Sequence, residues 1–336
     1  METKSSVEPL LLFHKLFFNG AGRLRSGWRF SIFAMAMLLT LLVLGNGLVV
    51  VLGILLNSTQ AASAFLESPW GFIVQALMLL LPALVIGWIC ALSLEDLPFA
   101  SLGWARHRGW VRDLLTGAGL GGTSMLLAVA LAASFGGFRF SIITSDVLFG
   151  VIRTLLVSGL IFALAAAAEE ALFRGYPLQT MLRSLPAWVA LVPTSILFAV
   201  VHLDNPNAAR GFTFFNTMLA GLWLAIGFLR TRSLWFPLGL HWAWNWTMGA
   251  VLGVPVSGIT QITPQPLLRT FDHGPAWLTG GAYGVEGGAA CTLALLLSSF
   301  FIWHAKIVTA TPEMRSFTDG ERPTTAHNNE NPLSLL

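Results

Sequence analysis

Eight apolar runs punctuate this chain, at about 31–56, 70–94, 114–135, 148–172, 187–202, 212–229, 233–252 and 280–304. Each lies near the ~20 residues that a helix needs to cross ~30 Å of hydrocarbon. Lipid offers no water to pair backbone N–H and C=O groups, so a spanning segment has to satisfy them internally, as a helix or within a closed barrel. The runs are continuous and show no alternation with period two, which selects the helix. The expected fold is therefore all-α, a polytopic membrane protein with about eight transmembrane helices. Composition agrees, with 55% of the 336 residues hydrophobic and 10% charged, against roughly a quarter charged in a soluble domain.

Positive charge orients such a chain, because loops on the cytosolic side retain Lys and Arg. Of 19 such residues, the clusters at Arg23/Arg25/Arg29, Arg106/Arg108/Arg112, Arg174/Arg183, Arg230/Arg232 and Lys306/Arg315/Arg322 fall on one side. Arg139, Arg210 and Arg269 fall on the other. Both termini are expected to be cytosolic, and the pI of about 9.2 follows from topology rather than from nucleic-acid binding. Cys90 and Cys291 lie in separate runs, so no disulfide framework is expected.

The organisation that follows has five parts. Residues 1–30 form a cytosolic or interfacial segment, with Leu10 to Phe13 suited to lie on the membrane surface. Residues 31–147 hold the first three helices, 148–252 a core that bears the polar residues, and 253–304 an outer loop and the last helix. Residues 305–336 read as a cytosolic tail without order, since the stretch from Pro312 is polar and rich in Thr, Asn and Glu. No organelle signal stands out, and the expected location is a bacterial inner membrane.

Inside the core, Glu169 and Glu170 sit in an otherwise apolar stretch. A charge at mid-bilayer costs roughly 2.5–3.5 kcal/mol on insertion scales, so such residues pair, line a cavity or act chemically. Glu170 and Arg174 are four apart and share a helix face. A turn of about 100° per residue then leaves Glu169 facing elsewhere, towards a cavity. The next hairpin should turn near Ser184-Leu185-Pro186, because proline favours a helix start. Glu169 lies 16 residues before Leu185 and His202 lies 17 after it, which makes the two level. The first arm then has to continue through Gly175 and Pro177, with a kink. Phe198 precedes His202 by four residues, so the two share a face.

His241 and Asn245 are also four apart, nine residues beyond Arg232 in the case of His241, or about 14 Å at ~1.5 Å per residue. An acid, two imidazoles and a carboxamide in one cavity suit amide hydrolysis. Glu169 with His202 would deprotonate a water as general base, while His241 and Asn245 would donate to the developing oxyanion. Zinc held by Glu169, His202 and His241 is the alternative, although the chain has no His-Glu-x-x-His. Motifs for serine and paired-aspartate intramembrane proteolysis are missing too.

Taken in order, Glu169-Glu170-x-x-x-Arg174, Phe198-x-x-x-His202 and His241-x-x-x-Asn245 resemble the three motifs of the CPBP intramembrane proteases, which include type II CAAX prenyl endopeptidases and bacteriocin-processing enzymes. The resemblance covers about 155–250. It implies that Glu169 and His202 activate water, that His241 and Asn245 bind the oxyanion, and that Glu170 and Arg174 support the site. The expected substrate is a membrane-associated peptide or protein, with the bilayer as the other partner. The competing reading is a scaffold or transporter that uses the same buried polar residues without catalysis.

Overall fold

The computed structural model describes residues 14–142, 147–209 and 211–319. Leu10 to Phe13 lie outside them. Among the described residues six helices are long and apolar enough to cross a membrane. They are α1 (Ser26–Leu56), α3 (Pro69–Glu95), α4 (Trp110–Ser134), the segment Leu148–Leu182, the segment Ala187–Asp204, and α8 (Phe212–Thr231). The short α2 (Thr59–Leu66) bridges α1 and α3, and Ser58 and Ser68 cap α2 and α3 by accepting from Ala61 N and Gly71 N.

Two of the eight expected spans are shorter than the apolar runs implied. The run at 233–252 folds as α9 (Trp235–Trp246) followed by a π-helical turn, Thr247–Val251. The run at 280–304 becomes helical only as α10 (Ala289–His304), because Gly280, Gly281 and Gly284 take positive φ and lead the chain through tight turns first. The outer segment also holds a small sheet. Strand β1 (Phe138–Ile142) pairs antiparallel with β2 (Leu268–Asp272), in the register Phe138 to Asp272 and Ile142 to Leu268, so the fold is nearly rather than wholly helical.

The segment Leu148–Leu182 breaks where a kink was expected. Helix α5 (Leu148–Phe173) ends, Arg174 and Gly175 both donate their N–H to Glu170 O at 2.9 Å, and α6 (Tyr176–Leu182) starts with Pro177 in its first turn. A Cβ on Gly175 would stand 2.3 Å from Ala171 O, so the break is one that only glycine accommodates. Pro186 then opens α7 (Ala187–Val201).

Backbone contact joins α4 to α9. Cβ atoms built on Gly117 and Gly121 would meet Phe236 O and Leu240 O at 2.1 Å, and one on Gly239 would meet Leu114 O at 2.1 Å. These small residues bring the two helix axes as close as the main chain allows. A buried relay ties the same bundle together: Trp223 Nε1 on α8 donates to Ser298 Oγ on α10 at 2.9 Å, and Ser298 pairs with Ser124 on α4 at 2.8 Å.

At the side predicted to be cytosolic, Arg29 and Arg183 are buried against Glu95 at the end of α3. Arg29 Nη1 meets Glu95 Oε1 at 2.5 Å, and Arg183 donates to the same carboxylate through Nε at 2.9 Å and Nη2 at 2.8 Å. The tail expected from Pro312 instead begins with α11 (Pro312–Thr318), capped by Thr311 and docked through Met314, which is fully buried. Residues 320–336 lie outside the described residues.

Candidate active site

Glu169 and Glu170 occupy the last turn of α5, just before the break at Gly175. Arg174 caps α5 with its N–H still on Glu170 O, and its side chain folds back on the same turn. Arg174 Nη1 donates to Glu170 Oε1 at 3.2 Å, Nη2 donates to Gly221 O on α8 at 3.0 Å, and the guanidinium lies 4.4 Å from the Phe198 ring centre. Charge, hydrogen bonds and a cation–π contact all fix this one side chain.

Phe198 on α7 is the packing hub. Its ring stands 4.5 Å from His202, 6.2 Å from His241 and, edge-on, 5.2 Å from Phe173. Glu170 Oε1 also receives His241 Nδ1 at 3.0 Å, so one carboxylate oxygen binds Arg174 and orients the imidazole of α9. An ionised carboxylate only accepts, which puts a proton on His241 Nδ1. In the same way His202 Nδ1 donates to Phe198 O at 2.7 Å, and its other nitrogen is left for the chamber.

Both Nε2 atoms then turn to one point. His202 Nε2 and His241 Nε2 lie 3.8 Å and 3.7 Å from Glu169 Oε2. That oxygen is buried and accepts no hydrogen bond from the described residues. In neutral rings these are three acceptors facing each other with no donor between them, an arrangement that suits a small donor such as water. Exposure grades across the cluster: the Glu170 side chain is 0% exposed and that of Arg174 3%, whereas His241, His202 and Glu169 reach 10%, 15% and 24%. Glu170 and Arg174 lie behind; Glu169 and the imidazoles face the accessible side.

The hairpin register expected from Pro186 thus holds, and Glu169, Glu170, Arg174, Phe198, His202 and His241 do come together. Asn245 follows one turn beyond His241, half-buried, with no side-chain hydrogen bond to the described residues. Zinc fits less well. Among the described residues no three His, Cys, Asp or Glu side chains are arranged to hold a metal.

Two contributors escaped the sequence. The carbonyl of Gly221 leaves no mark in a pattern of residue types. Glu286 could have been noticed as an acid inside the apolar run 280–304, but nothing in its neighbourhood marked the tie it makes to Trp244 on α9 at 2.9 Å.

A bundle of apolar helices around buried acids and imidazoles defines an integral membrane protein with a polar centre. Residues 151–247 match the family model described as Rce1-like, type II CAAX prenyl endopeptidase Rce1-like. The match spans α5 to α9 and contains every residue of the cluster, in somewhat less than a third of the chain. It supports intramembrane endopeptidase activity in general, on membrane-associated peptides. No curated protein and no solved structure matches the chain.

Proposed function

We propose that this protein is an endopeptidase that hydrolyses a peptide bond in a membrane-associated peptide or protein, with Glu169 as the base that activates water, and that it works in a bacterial inner membrane. The observation that carries the reading is the convergence of two imidazole Nε2 atoms, from α7 and α9, on one oxygen of Glu169. Water between them gives its proton to Glu169 and attacks the carbonyl; as the tetrahedral oxyanion collapses the C–N bond breaks and Glu169 passes that proton to the leaving amine. His202, held by Phe198 O, orients that water through Nε2.

Asn245 donates its amide N–H to the oxyanion, and so does His241 Nε2 when it carries a second proton. Glu170 and Arg174 hold His241 in place. A positioned general base contributes roughly 10²–10⁴-fold, and one oxyanion donor about 10²–10³-fold.

The test is Glu169→Gln in the full chain, purified in detergent and given membrane-anchored fluorogenic peptides. The variant keeps the size and polarity of the side chain but cannot take a proton at neutral pH. Turnover should fall at least about 10²-fold while the elution profile and melting temperature match wild type. Unchanged turnover sinks the reading. Stoichiometric zinc in the active wild-type preparation would overturn the metal-free part of it.

A further inference from the structure

Glu286 sits in the tight turn Val285–Gly287, ahead of α10, and both of its carboxylate oxygens are engaged. Oε1 accepts the indole N–H of Trp244 at 2.9 Å; Oε2 accepts the backbone N–H of Ser257 at 2.8 Å and its hydroxyl at 2.7 Å. The turn itself is anchored to α8, where Asn216 Nδ2 donates to Glu286 O at 2.8 Å and to Gly288 O at 2.9 Å. The carboxylate therefore reaches α9 from a fixed base.

Trp244 is 3% exposed and packs against Trp223 with ring centres 5.3 Å apart. It lies on α9 between His241 and Asn245, next to the latter. The π-helical turn starts at Thr247, two residues past Asn245, and such turns loosen the regular ladder of a helix, often beside functional positions. The end of α9 is held from outside on two sides: by Glu286 on Trp244, and by α5, whose Gly159 O and Leu155 O accept the indole N–H groups of Trp242 and Trp246 at 3.0 Å each.

We propose that Glu286 is a positioning residue: its grip on Trp244 sets the rotation of the last turn of α9 and so aims Asn245 into the chamber shared by Glu169, His202 and His241. This rests on reading that chamber as the hydrolytic centre. Without the carboxylate the indole N–H loses its buried acceptor, and the turn that carries Asn245 shifts.

Two measurements on the full chain test it, steady-state cleavage of membrane-anchored peptides and hydrogen–deuterium exchange over residues 242–251. Glu286→Ala should lower kcat about ten- to hundred-fold, the scale expected of a misplaced group, with KM nearly unchanged and exchange over this stretch faster. Trp244→Phe keeps the ring and loses the N–H, so it should do the same, and the double variant should be no worse than either single one. Glu286→Gln keeps an oxygen for Trp244 and should recover most of the turnover.

Unchanged exchange in Glu286→Ala overturns the proposal. So does faster exchange with kcat intact, a change confined to KM, or additive losses in the double variant. A wild-type protein that cuts no reporter removes the hydrolytic reading, and with it any role for Glu286 in aiming Asn245, whatever exchange reports about the tie.

Discussion

Replacing Gly121 with alanine puts a methyl group 2.1 Å from the carbonyl oxygen of Leu240, where ordinary contact begins at 3.4 Å. The obstacle is main chain, which cannot turn aside as a side chain does, so α4 and α9 must separate by more than 1 Å. Overpacking of this kind costs about 1–3 kcal/mol. The larger effect falls on the site, because Leu240 immediately precedes His241, whose Nδ1 is 3.0 Å from Glu170. A shift of α9 by that amount is large against a bond of 3.0 Å, so it disturbs the contact with Glu170 and displaces Nε2 relative to Glu169. A misplacement of about 1 Å is enough to cost about 10²-fold in turnover. The assay compares Gly121→Ala with Gly119→Ala, two residues along the same helix, where an added methyl meets nothing within 4 Å. Gly121→Ala should melt lower and cleave membrane-anchored peptides about 10²-fold more slowly, while Gly119→Ala should match wild type. Equal behaviour of the two variants would refute the view that backbone contact between α4 and α9 places His241.

Glu95→Gln removes the carboxylate that buried Arg29 and Arg183 share, a loss of about 3–5 kcal/mol; thermal unfolding in detergent should show a clear drop in midpoint, and an unchanged midpoint counts against a structural role for this network. Arg174→Lys keeps the charge but loses the planar fork that reaches Glu170 and Gly221 together and stacks on Phe198. Turnover should fall more than about ten-fold, in keeping with lost charge-assisted hydrogen bonds, and a fully active lysine variant would show that charge alone suffices.

Local spacing made much of the centre legible. Four-residue offsets placed Glu170 beside Arg174 and Phe198 beside His202, and Pro186 fixed the hairpin register that sets Glu169 level with His202. What escaped depends on side chains distant in sequence. His241 was expected to serve the oxyanion, and its second contact, to Glu170 across 71 residues, follows only from how α9 docks. The burial of Arg29 and Arg183 left no local mark, because Glu95, which both meet, is 66 and 88 residues away. Apolar runs measure length in residues and say nothing of where a helix changes hand-hold, so the π-helical turn at Thr247 and the glycine turns before Ala289 passed as continuous spans. The strand pair joins residues 138–142 to 268–272, too far apart for any local signal.

No single helical hairpin of this protein contains the polar cluster. Closing α5 through α7 unites Glu169 with His202, but Glu170 waits for His241 until α8 and α9 have inserted and packed. During synthesis, then, a half-assembled chain holds two carboxylates in the bilayer with one guanidinium between them, a costly state. The late arrival of α9 gives Glu170 a second hydrogen-bond donor in His241, so completion of the bundle and the pairing of its interior acid are the same event.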